Sequence, residues 1–220
     1  MTKKALFVLF LFLALLCLFP FSTSARDSME KGAFSIYFMS EKVGYEEYIW
    51  EEDENGYHLS VKGRLTKPAD MEIKELDIRL DKDFTARSFR FKGAVNGVQQ
   101  EVSSIISEGH VENTIIVAGQ KSQSTVEIRR DAFLLPNPVF SPYLALTKKY
   151  KCTLEEKIEL SAYIIPQFES PFTLSPVEGV PCSLIIQLSG TRIELQTDDE
   201  GNLIALSVPA QRLEVLRTAF

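Results

Sequence analysis

Residues 53–65, Asp53-Glu54-Asn55-Gly56-Tyr57-His58-Leu59-Ser60-Val61-Lys62-Gly63-Arg64-Leu65, decide the fold. Asn-Gly is the strongest short-range signal of a hairpin turn, because such turns need residues that tolerate positive φ. After it, Leu59, Val61 and Leu65 alternate with His58, Ser60, Lys62 and Arg64. Successive strand side chains point to opposite faces, so this period of two predicts a strand with one buried and one wetted face.

The same pattern extends in both directions. Upstream, strands are expected from about Ala33 to Met39 and from Val43 to Glu51, the second with Tyr45 on one face and Tyr48 and Trp50 on the other. Downstream, Met71 and Ile73 fall on odd positions while Leu76, Ile78 and Leu80 fall on even ones. A bulge near Lys74-Glu75 would keep all five on one face. Strands follow at about Ala86 to Ala94, Val98 to Ile106, Thr114 to Ala118 and Thr125 to Arg129, broken by Asn96-Gly97, Glu108-Gly109 and Gly119-Gln120. This even cadence predicts an antiparallel meander in which sequence neighbours pair in space.

The rhythm breaks at Ala132 to Tyr150. Pro136, Pro138 and Pro142 exclude a regular helix before Pro142. One short helix is expected from about Ser141 to Lys149, capped by Ser141 with proline at its first position. Strands resume at Lys157 to Ile165, Ser183 to Leu188, Thr191 to Gln196, Leu203 to Val208 and Leu213 to Val215, while Phe168 to Pro181, with three prolines, reads as an irregular flap. The fold class is therefore mainly β: an antiparallel meander curled into an open half-barrel or barrel, with one short helix or plug segment.

Lys3 and Lys4, the apolar run from Ala5 to Phe19 and the small-residue exit after Pro20 have the layout of a signal peptide cleaved near Ala25. The apolar run falls short of the roughly 20 residues that cross a bilayer. Residues 1–25 are thus expected to be a signal and 26–220 a single β-rich domain in the periplasm or secreted; retention of the signal as an anchor is the alternative. Cys17 follows Leu16, where lipoprotein processing wants a small residue, and is expected to leave with the signal. Without Lys3 and Lys4 the formal charge passes from −6 to −8, and no basic cluster exceeds a pair, so nucleic acid is not an expected partner. Export permits a disulfide between the two remaining cysteines, Cys152 and Cys182.

No nucleophile elbow, phosphate-binding loop, His-Glu-x-x-His helix or Cys-x-x-Cys pair occurs, so no catalytic residue, metal ligand set or cofactor is assigned. His58 reads as a polar-face strand residue and His110 as a turn residue. Glu46-Glu47, Glu51-Glu52 and Asp198-Asp199-Glu200 read as solvated edges or turns, which leaves a two-carboxylate hydrolase as a third-ranked possibility. A single β-layer of nine or more strands must curl, and its concave face must be filled. The two irregular apolar stretches either complete that core or gate a cavity lined by Phe133, Leu135, Phe140, Tyr143, Phe168 and Phe172.

Phe34-Ser35-Ile36-Tyr37-Phe38, Lys42-Val43-Gly44-Tyr45-Glu46 and the ending Val208-Pro209-Ala210-Gln211-Arg212-Leu213-Glu214-Val215 are similar to segments of uncharacterised bacterial envelope families. The whole layout resembles the open half-barrel around a helical plug of the lipoprotein carriers LolA and LolB. The resemblance implies an envelope protein that handles a lipid or other apolar molecule, with no functional residue carried over by position. Docking of a partner envelope protein, with no small ligand, is the alternative.

Overall fold

The structure, a computed structural model, describes residues 28–218; the expected signal, residues 1–25, and Cys17 lie outside them. Period-two alternation organises what is described into one fifteen-stranded sheet. The chain enters at its middle with β1 (Ser28–Phe38) and β2 (Glu41–Glu52), then adds β3 (Gly56–Leu65), β4 (Met71–Asp81), β5 (Ala86–Val95), β6 (Val98–Ser107), β7 (His110–Val117) and β8 (Gln120–Glu127) outward to one edge. It then crosses to the opposite edge through β9 (Phe133–Leu134) and the helix α1 (Tyr143–Tyr150). From there β10 (Ile158–Ile164), β11 (Phe168–Pro176), β12 (Ser183–Leu188), β13 (Thr191–Thr197), β14 (Leu203–Val208) and β15 (Leu213–Thr218) return inward until β15 pairs with β1, Phe38 opposite Leu213. All pairings are antiparallel except that of β9 with β10.

The expected meander is thus present, as two arms that meet at the paired β1 and β15. The sheet is open, with no ladder between its outermost strands. It is nonetheless strongly curled: Asn113 of β7 donates to the Tyr163 hydroxyl of β10 at 2.9 Å, although these strands lie near opposite edges.

Local chemistry explains most boundaries. Asn96-Gly97 and Glu108-Gly109 both take positive φ at their two residues, the twist-matched geometry of two-residue hairpins. Asn55-Gly56 works differently: Asp53 shapes that turn, its carboxylate accepting from the Asn55 and Gly56 N–H groups at 2.6 and 3.0 Å. The bulge expected near Lys74 is found where the β4–β5 register shifts between Ile73 and Glu75, and Met71, Ile73, Leu76, Ile78 and Leu80 are all buried.

Two expectations are corrected. Residues 168–176 form β11, a strand of nine residues, and not an irregular flap. Ser170, Phe172 and Leu174 carry the buried alternation, and Pro171 precedes the segment paired with β12, which starts at Phe172, so it has no ladder bond to lose there. Ser141 does not cap α1, which begins after Pro142 without a side-chain cap, because the Ser141 hydroxyl is bound to Glu46.

The core fills the concave face. Phe34 and Tyr48 stack at 5.2 Å, and Leu144 and Leu146 of α1 are fully buried. The far end of α1 is tied to the middle of the sheet: Lys148 binds Glu30 at 2.8 Å, and Glu30 also accepts from Arg217 of β15 and Tyr48 of β2. One face of the sheet is thus covered by a crossing segment fixed at its helical end.

Candidate functional site

The near end of the crossing segment is fixed by a buried carboxylate. Glu46 shares its inward face of β2 with Tyr48 and Trp50 and is 1% exposed. Its Oε1 accepts from the Phe140 N–H at 2.9 Å, and its Oε2 from the Ser141 N–H at 2.7 Å and the Ser141 hydroxyl. Burial raises its pKa despite these three bonds, which pull the other way. The expectation of a solvated Glu46 is therefore wrong. The period-two parity of 46, 48 and 50 carried the signal, and the neighbouring Glu47 obscured it.

Held this way, residues 135–143 form a strap over one end of the concave face, and a cleft of about 400 Å³ remains between strap and sheet. Its walls are Leu135 to Phe140 and Tyr143 on the strap side, and Leu188, Ile193, Leu206 and Val208 from β12, β13 and β14 on the other. Inward-facing aliphatic residues of neighbouring strands supply a continuous apolar wall because alternation puts every second side chain on that face. Prolines 136 and 138 on the strap remove two N–H groups that an apolar surface would leave unpaired.

Of the six residues expected to line a cavity, Leu135, Phe140, Tyr143 and Phe168 line this cleft. Phe168 stands at its mouth, half exposed. Phe133 and Phe172 lie in the core instead, edge to face at 6.4 Å and each under 5% exposed. The aliphatic wall from β12 to β14 was not singled out in the sequence, since its residues look like those of any half-buried strand. Burial raises the Tyr143 pKa, so its hydroxyl stays protonated.

Cys152, just beyond α1, is bridged to Cys182, just before β12. Asp199 Oδ1 lies 3.5 Å from Cys182 Sγ, but bridged sulfurs are not the thiolates that bind metal. His58 is held on the opposite face of the sheet between Glu51 and Asp77, both at 3.0 Å, while His110 faces Ser107 in its hairpin at 3.3 Å. Ser60 donates to Asp77 at 2.9 Å and lies 3.3 Å from His58 Nε2, so that aspartate already takes the proton a nucleophilic serine would pass to histidine.

No protein-family model matches the chain, and no curated protein matches it. Among solved structures it is similar to a DUF1089 family protein from Pseudomonas aeruginosa, at 11% identity and a TM-score of 0.46, over 88% of this chain and 95% of that one. That likeness is a weak one of overall fold and does not single out the LolA and LolB carriers.

Proposed function

We propose that this domain is a non-enzymatic binder of a lipid or other apolar molecule, acting outside the cytoplasm as an open half-barrel of the LolA and LolB kind. The apolar cleft beneath the Glu46-anchored strap carries this reading. Its volume of about 400 Å³ falls within the range of roughly 300–1,000 Å³ usual for small-molecule sites. The periplasmic or secreted setting rests on the signal layout of residues 1–25. No helix among the described residues is long and apolar enough to cross a membrane.

Native mass spectrometry after gentle purification tests the proposal. A co-purifying mass, or uptake of a fluorescent fatty-acyl probe that displaces it, is expected. A bare protein mass with no probe uptake would overturn it.

A second reading, a docking protein of the envelope with no small ligand, is favoured by one observation. β8 is exposed over nearly its whole length and pairs only with β7, so its outer backbone groups are free to add a strand from another chain. Capture of one stoichiometric partner by a protein that takes up no probe would favour this reading.

A further inference from the structure

The walls of the cleft also specify the charge of what fits it. None of the described residues lining it is charged; its polar members are Asn137, Ser189, Thr191, Gln211 and Tyr143. Charged residues adjacent in sequence are engaged elsewhere. Lys67 binds Glu41 at 2.7 Å, Arg192 binds Glu194 at 2.8 Å, and Arg212 lines a separate groove with Ser40 and Glu214. The Glu46 carboxylate lies beneath the strap and is occupied by Phe140 and Ser141. An ionised head group entering this cleft would leave water without meeting an opposite charge, the most costly way to bury one.

Two polar side chains of the cleft wall, Tyr143 and the half-buried Thr191, have no hydrogen-bond partner among the described residues. Asn137 and Gln211 are exposed at the rim, where water serves them, and the exposed Ser189 hydroxyl is hydrogen-bonded to that of Ser170 at 2.9 Å. The Tyr48 and Tyr163 hydroxyls are bound by Glu30 and Asn113. The Tyr143 hydroxyl is bound by none of the described residues, and desolvation alone shifts its pKa upward. No side-chain oxygen among the described residues is both fully buried and unbonded, so the hydroxyl of the half-buried Tyr143 keeps an open approach, and Tyr143 is part of the cleft wall.

We infer that the cleft selects an uncharged apolar chain carrying one oxygen acceptor, a fatty alcohol or the ester or amide carbonyl of a neutral acyl lipid, and that the Tyr143 hydroxyl donates to that oxygen. The inference rests on the reading of the cleft as the ligand site. It predicts discrimination among ligands of one chain length, which a merely greasy groove would not show.

The test is competition of 1-dodecanol, dodecanoate and dodecane against an apolar fluorescent probe at pH 8, on the protein and on its Tyr143→Phe variant. Dodecanol is expected to bind at least tenfold more tightly than dodecanoate and several-fold more tightly than dodecane. Tyr143→Phe should bring dodecanol down to dodecane while leaving dodecane and the melting temperature unchanged. Dodecanoate binding as tightly as dodecanol, or a variant that keeps the preference for dodecanol, would overturn the inference while leaving the proposed function standing. Failure of all three to bind would overturn both.

Discussion

Ser141 donates its backbone N–H to Glu46 across 2.7 Å, although 95 positions separate them in the chain. The bond joins β2, near the middle of the sheet, to the strap that bounds the cleft. Gly63 sits opposite Glu46 on β3, and a Cβ there would stand 2.5 Å from the Tyr45 carbonyl oxygen and 3.2 Å from Glu46 Cγ. The strap is therefore positioned by a carboxylate that the neighbouring strand leaves room for.

Replacing Glu46 by Ala strands two buried N–H groups and a hydroxyl. Each unsatisfied buried donor costs about 1–3 kcal/mol, so a loss of roughly 2–5 kcal/mol is expected in urea unfolding, with faster amide exchange over residues 138–142.

Glu46 also confers a pH dependence of defined sign. Its pKa is raised in the folded chain, so the folded state holds this proton over an interval in which the unfolded state has lost it. Stability from this site is then greatest below the unfolded value and declines as pH rises through that interval. Glu46→Gln cannot titrate. The stability difference between the native chain and Glu46→Gln, followed by urea midpoints from pH 4 to 8, should widen in favour of the native chain toward acid. A gap that is flat, or that narrows toward acid, would contradict the buried carboxylate.

The Cys152–Cys182 bridge closes a span of 30 residues, which on the chain-entropy model stabilises by about 3–4 kcal/mol. Reductant, or the double substitution Cys152→Ser and Cys182→Ser, should lower the melting temperature accordingly. Two titratable thiols in the oxidised protein and an unchanged melting temperature would show that the bridge is absent.

Tyr48 lies over Gly32 of the adjacent strand so closely that a Cβ on residue 32 would stand 2.2 Å from the ring. Gly32→Ala must push that ring off Phe34 and Glu30. Overpacking of this kind costs about 1–3 kcal/mol. The loss should shrink in Gly32→Ala combined with Tyr48→Leu, and a double-mutant cycle in denaturant checks that coupling.

How far the sequence carried these conclusions depends on the range of each interaction. Strands such as β12 and β14 were legible residue for residue, because alternation and turn chemistry are local. The bulge at Lys74 was legible for the same reason: the buried parity changes within a few positions. β11 was hidden because Pro171 and Pro176 mask an alternation that only the end of β12 explains. β8 was only partly visible, since Gln120 to Ser124 have little strand propensity and are ordered by the Ala118-Gly119 turn and the register with β7. The site depended on pairings at much longer range. Phe140 and Tyr143 were recognisable as apolar residues near prolines. That Glu46 would hold them, and that β12 to β14 would face them, follows from the crossing between the sheet's two edges, which no local pattern encodes.

Phe140 and Phe168 line the same cleft with opposite energetic weights, and this separates a stability role from a binding role. Phe140 is 7% exposed and packed in the core, whereas Phe168 is half exposed at the mouth. Truncating a buried Phe to Ala costs about 3–5 kcal/mol, so Phe140→Ala should unfold far earlier in urea and lose probe uptake as a consequence. Phe168→Ser removes little buried area, and surface changes of that sort stay within about 0.5 kcal/mol. Its unfolding midpoint should match that of the native chain while its affinity for an acyl probe falls several-fold, because the apolar mouth is then broken. Equal probe affinity in Phe168→Ser would place the entry of the ligand elsewhere, and a stable, well-folded Phe140→Ala would show that the strap contributes less to the core than its burial implies.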